Sequence, residues 1–187
     1  MDKRIEKTKL AAREAALDVL AAGGFAAFTM EAVAAQSRIS KSTLYRHWAD
    51  RMALLSDALE RLNLQPRQTG PLQPDSLRER VVELITHLAA VFENSRIGKV
   101  IPALIEAAEH HPQVAGFLHD YSAKRRLALV GLLREAVEMG ELDCDFDAEL
   151  AALVLSGPVF YCRLMSPAPF PQGKVGALVD FCLAKAW

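Results

Sequence analysis

Glycine and proline interrupt this chain at intervals of about one helix, and that spacing limits its fold more than any other feature. Gly23-Gly24, the stretch Gln65 to Pro74, Pro112, Gly140 and Pro171 divide 187 residues into segments whose apolar positions recur every three or four residues. Strand-like alternation bounded by turn residues is absent. The expected fold is therefore all-α, with about nine helices.

The helices can be placed from their stop and start signals. Lys3 to Ala22 forms a first helix with Ile5, Leu10, Ala16, Leu17 and Leu20 toward the core, closed by Gly23-Gly24 as a left-handed cap. Thr29 caps a short second helix and Ser40 a third, each hydroxyl taking an orphan backbone N–H. A fourth begins at Asp50 and reaches about Leu64. Three prolines and a glycine make Gln65 to Pro74 a linker. Asp75 or Ser76 opens a fifth helix to Asn94, Ile97 to Glu109 gives a sixth, and Pro112 opens a long seventh to Met139, with Gly140 as its stop.

The last two helices, Asp147 to Leu164 and Pro171 to Ala186, are apolar on nearly every face. Such helices must be buried all round. Two of them exceed what one small core can cover, so the surplus is expected to pack on a second copy of the chain. The residues assigned to that homodimer interface are Ala151, Leu155, Val159, Leu178, Val179 and Cys182.

Composition narrows the function. An apolar content of 51% supports a real core, and a net charge of −1 argues against a general polyanion binder. The charge is uneven: residues 1–61 carry ten Lys/Arg against eight acids, and 37–51 carry four, with His47, against Asp50 alone. A local basic patch on an otherwise acidic chain suits a confined DNA contact. Three cysteines without metal-ligand spacing make neither a disulfide framework nor a metal site. The start, MDKRIEKTKL, is polar rather than a signal peptide. The apolar run Leu150 to Cys162 is about five residues short of the roughly 18 that a membrane span needs. No membrane partner, metal or cofactor is expected, and a reducing cytoplasm is the expected location.

The stretch Ala22 to Leu55 carries the functional signal. Two short helices abut across Gln36-Ser37-Arg38-Ile39, and the second presents Lys41, Ser42, Thr43, Tyr45, Arg46 and His47 around an anchor of Leu44 and Trp48. A short donor-rich helix propped by another suits a DNA major groove. Lys41, Ser42 and Thr43, in the first turn, are candidates for base edges. Thr29 at a helix N-terminus, Tyr45, His47 and Arg51 are candidates for phosphates, and Arg46 faces the same strand or solvent.

From Arg13 to about Leu59 these residues resemble the tetracycline-repressor (TetR) family of one-component regulators. The resemblance rests on Ala15-Ala16, Gly24-Phe25, Thr29-Met30, Val33-Ala34 and, above all, Ser40-Lys41-Ser42-Thr43-Leu44-Tyr45-Arg46-His47-Trp48. It implies a three-helix helix-turn-helix DNA-binding domain over 1–49 and a larger helical ligand-binding and dimerisation domain over 50–187. It also implies a repressor released from an inverted-repeat operator by a small molecule. Arg38 stands where the family usually has glycine, and if its φ is positive the strain costs about 1 kcal/mol. An arginine there can offset the strain by reaching a phosphate. Ser42 replaces a common glycine and Met52 a common glutamate.

The resemblance implies effector sensing in the C-terminal part. His87, Leu88, Val91, Phe92, Leu104, Glu106, His110, Phe117, Tyr121 and Arg125 are the candidate lining residues. Apolar walls with a few polar groups fit a lipophilic or aromatic ligand. An enzyme is not expected: Glu106 and His110 share a helical face, but the chain has no H-E-x-x-H, Gly-rich phosphate loop or G-x-S-x-G. The competing reading is a helical adaptor that ignores DNA.

Overall fold

The computed structural model describes residues 3–62, 73, 76–94 and 97–184. Among these are α1 (Lys3–Ala27), α2 (Met30–Ser37), α3 (Lys41–His47), α4 (Arg51–Leu62), α5 (Leu77–Asn94), α6 (Ile97–Ala108), α7 (Pro112–Glu138), α8 (Ala148–Met165) and α9 (Val175–Leu183). A 3-10 turn at Gln172–Lys174 leads into α9, and no strand occurs among the described residues. The linker expected at Gln65 to Pro74 lies, apart from Gln73, outside them.

The chain forms two compact units. One comprises α1–α4, α6 and α7 as far as Leu118; the other comprises α5, α7 from His119, α8 and α9. The expected domain boundary at 49/50 thus falls inside the first unit.

In the first unit α1 packs against α2, α4 and α6. Its buried face is Ala12, Ala15, Ala16, Leu17 and Leu20, and the alanines let neighbouring backbones approach. Phe28, Val33, Leu44, Leu54, Leu55 and Leu59 complete a core with no exposed surface. Each such side chain is worth roughly 1.5–3 kcal/mol of burial. Gly24 has positive φ (69°), but its ψ of −173° lies outside the left-handed helical region expected of the cap, and the helix resumes beyond it to Ala27. The expected stop is instead a kink. Phe28 N–H then donates to Phe25 O at 3.2 Å, and this tightening turns Phe25 and Phe28 inward.

In the second unit α5 packs on α8 and α9. Val81, Leu84, Ile85 and Phe92 of α5 are buried, as are Ala152, Leu155, Val159, Val175 and Val179. Phe92 and Phe160 meet edge to face at 4.7 Å. Arg78 grips Asp180 with two hydrogen bonds, 2.5 and 2.9 Å, tying α5 to α9. Gly140, at φ 75°, ends α7 as expected, and Asp147 caps α8 by accepting from Leu150 N–H at 2.9 Å.

Within its own unit α8 is buried on one side only, which leaves the surplus apolar face that the sequence leads one to expect. Ala148, Ala151, Ala152, Leu155 and Val159 form a buried stripe, whereas Leu150, Leu153, Val154, Tyr161, Leu164 and Met165 are 40% exposed or more. At 18 residues the helix also exceeds the run Leu150 to Cys162, and by length and composition alone it is long enough to cross a membrane.

Candidate nucleic-acid interface

The interface is built from its caps upward. Thr29 has extended backbone (φ −123°, ψ 158°), and its hydroxyl accepts from Ala32 N–H at 3.1 Å, starting α2. Seven residues of α3 are too few for autonomous helix stability, so its start depends on Ser40. The Ser40 hydroxyl accepts from Thr43 N–H at 3.2 Å and lies within 3.0 Å of both the Ser42 and Thr43 hydroxyls. The first turn of the helix is thereby a compact group of hydroxyls.

Between α2 and α3, Arg38 adopts φ 57° and ψ 29°, the left-handed conformation anticipated for this position. Ser37 supports the turn: its hydroxyl donates to Val33 O at 2.6 Å and accepts from Ile39 N–H at 3.3 Å. Arg38 is the only described non-glycine residue with positive φ, and its side chain is exposed.

Leu44 is fully buried and Trp48 is 6% exposed, so this pair is the anchor the spacing predicts. On the outer face Lys41, Ser42, Tyr45 and Arg46 are exposed, and Thr43 and His47 are half-buried. Lys41 donates to Glu31 Oε1 at 3.2 Å, an exposed pair that bridges α2 and α3. The backbone at Glu31 first, then Lys41, holds the Glu31 carboxyl below its ordinary value.

Arg51 is placed differently from the free phosphate clamp the sequence suggests. Its guanidinium donates to Phe28 O at 2.8 Å and lies over the Phe25 ring, 4.1 Å from the centroid. The His111 ring meets the same Phe25 at 5.3 Å. Arg51 therefore joins the start of α4 to the end of α1. His111 is exposed, as expected of a helix junction, yet it brings the α6–α7 corner onto this joint.

Beneath α3 lies a polar node with no sequence motif. Arg13, 6% exposed, donates to Asp57 Oδ2 at 2.8 Å, and Trp48 Nε1–H donates to the same oxygen at 2.9 Å. Burial alone would raise the Asp57 carboxyl. The hydrogen bonds from Arg13 and Trp48, with the charges of Arg13 and Lys9, outweigh it and hold the group below its ordinary value. Only a spacing argument linking α1 to α4 could have found this node, since its members are 44 residues apart.

The residues assigned to a dimer interface are not brought to a common surface. Ala151, Leu155, Val159 and Val179 are 6% exposed or less within their own unit, and Leu178 and Cys182 are half-buried. They pack the core. The exposed apolar face lies on the other side of α8, with Phe181 of α9 also 59% exposed.

The candidate effector residues divide between the units. Leu104, Glu106 and Phe117 belong to the first, where Leu104 is wholly buried and Glu106 exposed. His87, Val91, Phe92, Tyr121 and Arg125 belong to the second. There the Arg125 guanidinium lies 5.1 Å from the Tyr121 ring centroid. Burial, then the charge of Arg125, pushes the His87 imidazole below its ordinary value, with Glu83 opposing.

Two family descriptions match this chain: bacterial regulatory proteins, tetR family, over residues 13–58, and tetracyclin repressor-like, C-terminal domain, over residues 73–182. Among similar proteins, the uncharacterized HTH-type transcriptional regulator YdeS of Bacillus subtilis is 31% identical, covering 87% of this chain and 81% of its own. The DNA-binding transcriptional repressor TetR of Mycobacteroides abscessus is 30% identical, covering 96% and 94%. The solved structure of the TetR family transcription regulator SCO0332 superposes with a TM-score of 0.70 at 28% identity, covering 97% of this chain and 99% of that one.

Proposed function

Because the chain belongs to the tetracycline-repressor family, a non-enzymatic family of helix-turn-helix regulators that bind operator DNA and act as dimers, we propose that it is a cytoplasmic repressor released from an inverted-repeat operator by a small molecule. The observation that carries this reading is α3 itself. An exposed row of Lys41, Ser42, Tyr45 and Arg46 stands on a fully buried Leu44, capped by Ser40 and braced by α2. Lys41, Ser42 and Thr43 read base edges; Thr29, Tyr45, Arg46 and His47 hold phosphates. Arg38 reaches a phosphate and offsets the strain of its turn. Arg51 acts mainly by fixing the start of α4 against Phe25 and Phe28.

The dimer forms through the exposed face of α8 and α9: Leu150, Leu153, Val154, Tyr161, Leu164 and Phe181. A helix face this apolar is costly to leave in water, and a second copy of this chain is the occupant that covers it. Two recognition helices related by that dyad enter successive major grooves, about 34–36 Å apart. The C-terminal domain senses the effector, with His87, Tyr121 and Arg125 as polar groups among apolar walls.

Selection of bound duplexes from a random pool tests the reading. Enrichment of an inverted repeat supports it. Failure of the purified chain to hold any duplex at low salt favours the adaptor reading instead.

A further inference from the structure

We propose that Lys9 of α1 joins Arg46 and His47 of α3 in a phosphate-binding cluster, so that the first helix holds the DNA backbone beside the recognition helix. This rests on the operator-binding reading above and adds an element to it.

The placement follows from contacts that lead from α1 to the end of α3. Arg13 and Trp48 converge on one oxygen of Asp57, at 2.8 and 2.9 Å. The His47 ring stands edge-on to the Trp48 indole, centroids 5.6 Å apart. Lys9 precedes Arg13 by four residues, one helical turn, and so lies on the same face of α1. From there its ammonium acts electrostatically on both Asp57 and His47. Lys9 and His47 are half-buried and Arg46 is exposed, so all three remain within reach of a ligand.

Arg46 and His47 form the last turn of the helix whose first turn reads the bases, and the Lys9 charge acts on that turn from α1. The acid beside them, Asp57, already accepts from Arg13 and Trp48. A run of backbone phosphates is the chemistry that complements three basic groups at this end of the helix.

The cluster has a consequence for pH. Burial first, then the charges of Lys9 and Arg46, keeps the His47 imidazole below its ordinary value of about 6.5. Lys9 from α1, Arg46 from its own helix, the Trp48 indole, and Asp57 from α4 behind Trp48 are the groups that face it. A phosphate seated in the cluster favours the imidazolium instead. Each protomer then takes up a proton on binding, and operator affinity rises as pH falls through the interval that opens upward from the depressed value.

The test is a titration of the selected operator duplex with the full chain across about 50–200 mM salt, at about pH 7.5 and about pH 6. Lys9→Gln is expected to lower the slope of log affinity against log salt by about 0.9 per protomer. Lys174→Gln, which removes the same charge from the second unit, should leave the slope unchanged. His47→Gln should flatten the pH dependence. A Lys9→Gln slope equal to that of Lys174→Gln overturns the proposal, as does a pH dependence unaltered by His47→Gln. If the unmodified chain holds no duplex at all, the operator reading itself falls, and this cluster with it.

Discussion

Arg38 shows how one backbone position can oppose stability and function. Its left-handed conformation, φ 57°, costs an arginine about 1 kcal/mol relative to glycine. Arg38→Gly is therefore expected to raise the urea midpoint while weakening operator binding. A variant that is more stable but binds equally well would remove Arg38 from the contact set. Asp57 presents the opposite case, because it sustains Arg13 and Trp48 together. Asp57→Ala leaves a nearly buried guanidinium without its acceptor and should lower unfolding free energy by about 2–3 kcal/mol. The carboxyl is held below its unfolded value of about 3.9, so its contribution is full above that value. It is lost as pH falls through the lower folded value. Urea unfolding at neutral and acid pH should show the variant's deficit shrinking below about pH 4. Leu44 and Trp48 were legible as anchors because spacing of four on a short helix dictates a shared face; Arg13 and Asp57 were not, because nothing local joins them.

At the scale of the element, α8 separates two kinds of substitution that look alike in sequence. Leu155 is wholly buried and Leu153 is 50% exposed, though both lie in the same apolar run. Leu155→Ala leaves a cavity in the second unit and should cost about 2–5 kcal/mol. Leu153→Glu should leave each protomer folded yet yield monomers, visible as a halved mass by light scattering with unchanged helical circular dichroism. A dimer that persists through Leu153→Glu would place the interface elsewhere. The short α3 makes a third case. Ser40→Ala removes the hydroxyl that accepts from Thr43 N–H and should destabilise the first unit by about 0.5–2 kcal/mol. Hydrophobic periodicity located α8 but assigned its interface to the buried stripe, because a helix apolar on every side carries no phase.

For the whole molecule, the functional question is how effector occupancy reaches α3. α4 begins beside the recognition helix, and Arg51 fastens that start to Phe25 and Phe28. His111, at the corner before α7, touches the same Phe25. An effector acts only through its difference in affinity between DNA-competent and incompetent states. A coupling of about 1–3 kcal/mol would change operator affinity about 5–150-fold, and operator must weaken effector binding by the same factor. Calorimetric titration of the effector with and without operator checks this reciprocity. Arg51→Lys, which keeps the charge but loses the planar stack, should diminish the coupling more than it diminishes operator affinity. Equal effector affinity in both titrations would separate sensing from DNA binding.

From the sequence alone came the all-α class, the helix-turn-helix, the caps at Thr29 and Ser40, the stop at Gly140, and Arg38 as the turn position where a positive φ would strain a non-glycine residue. All of these are decided within a few residues, by backbone sterics, capping hydrogen bonds and the period of the apolar pattern. Tertiary structure alone decided which side of α8 faces solvent, that Arg51 turns inward, and that Asp57 gathers Arg13 and Trp48. It also set α4 and α6 against α1, across the boundary the sequence suggested. Those outcomes depend on which surfaces meet when distant segments pack, and the energy of such contacts is written in neither segment by itself.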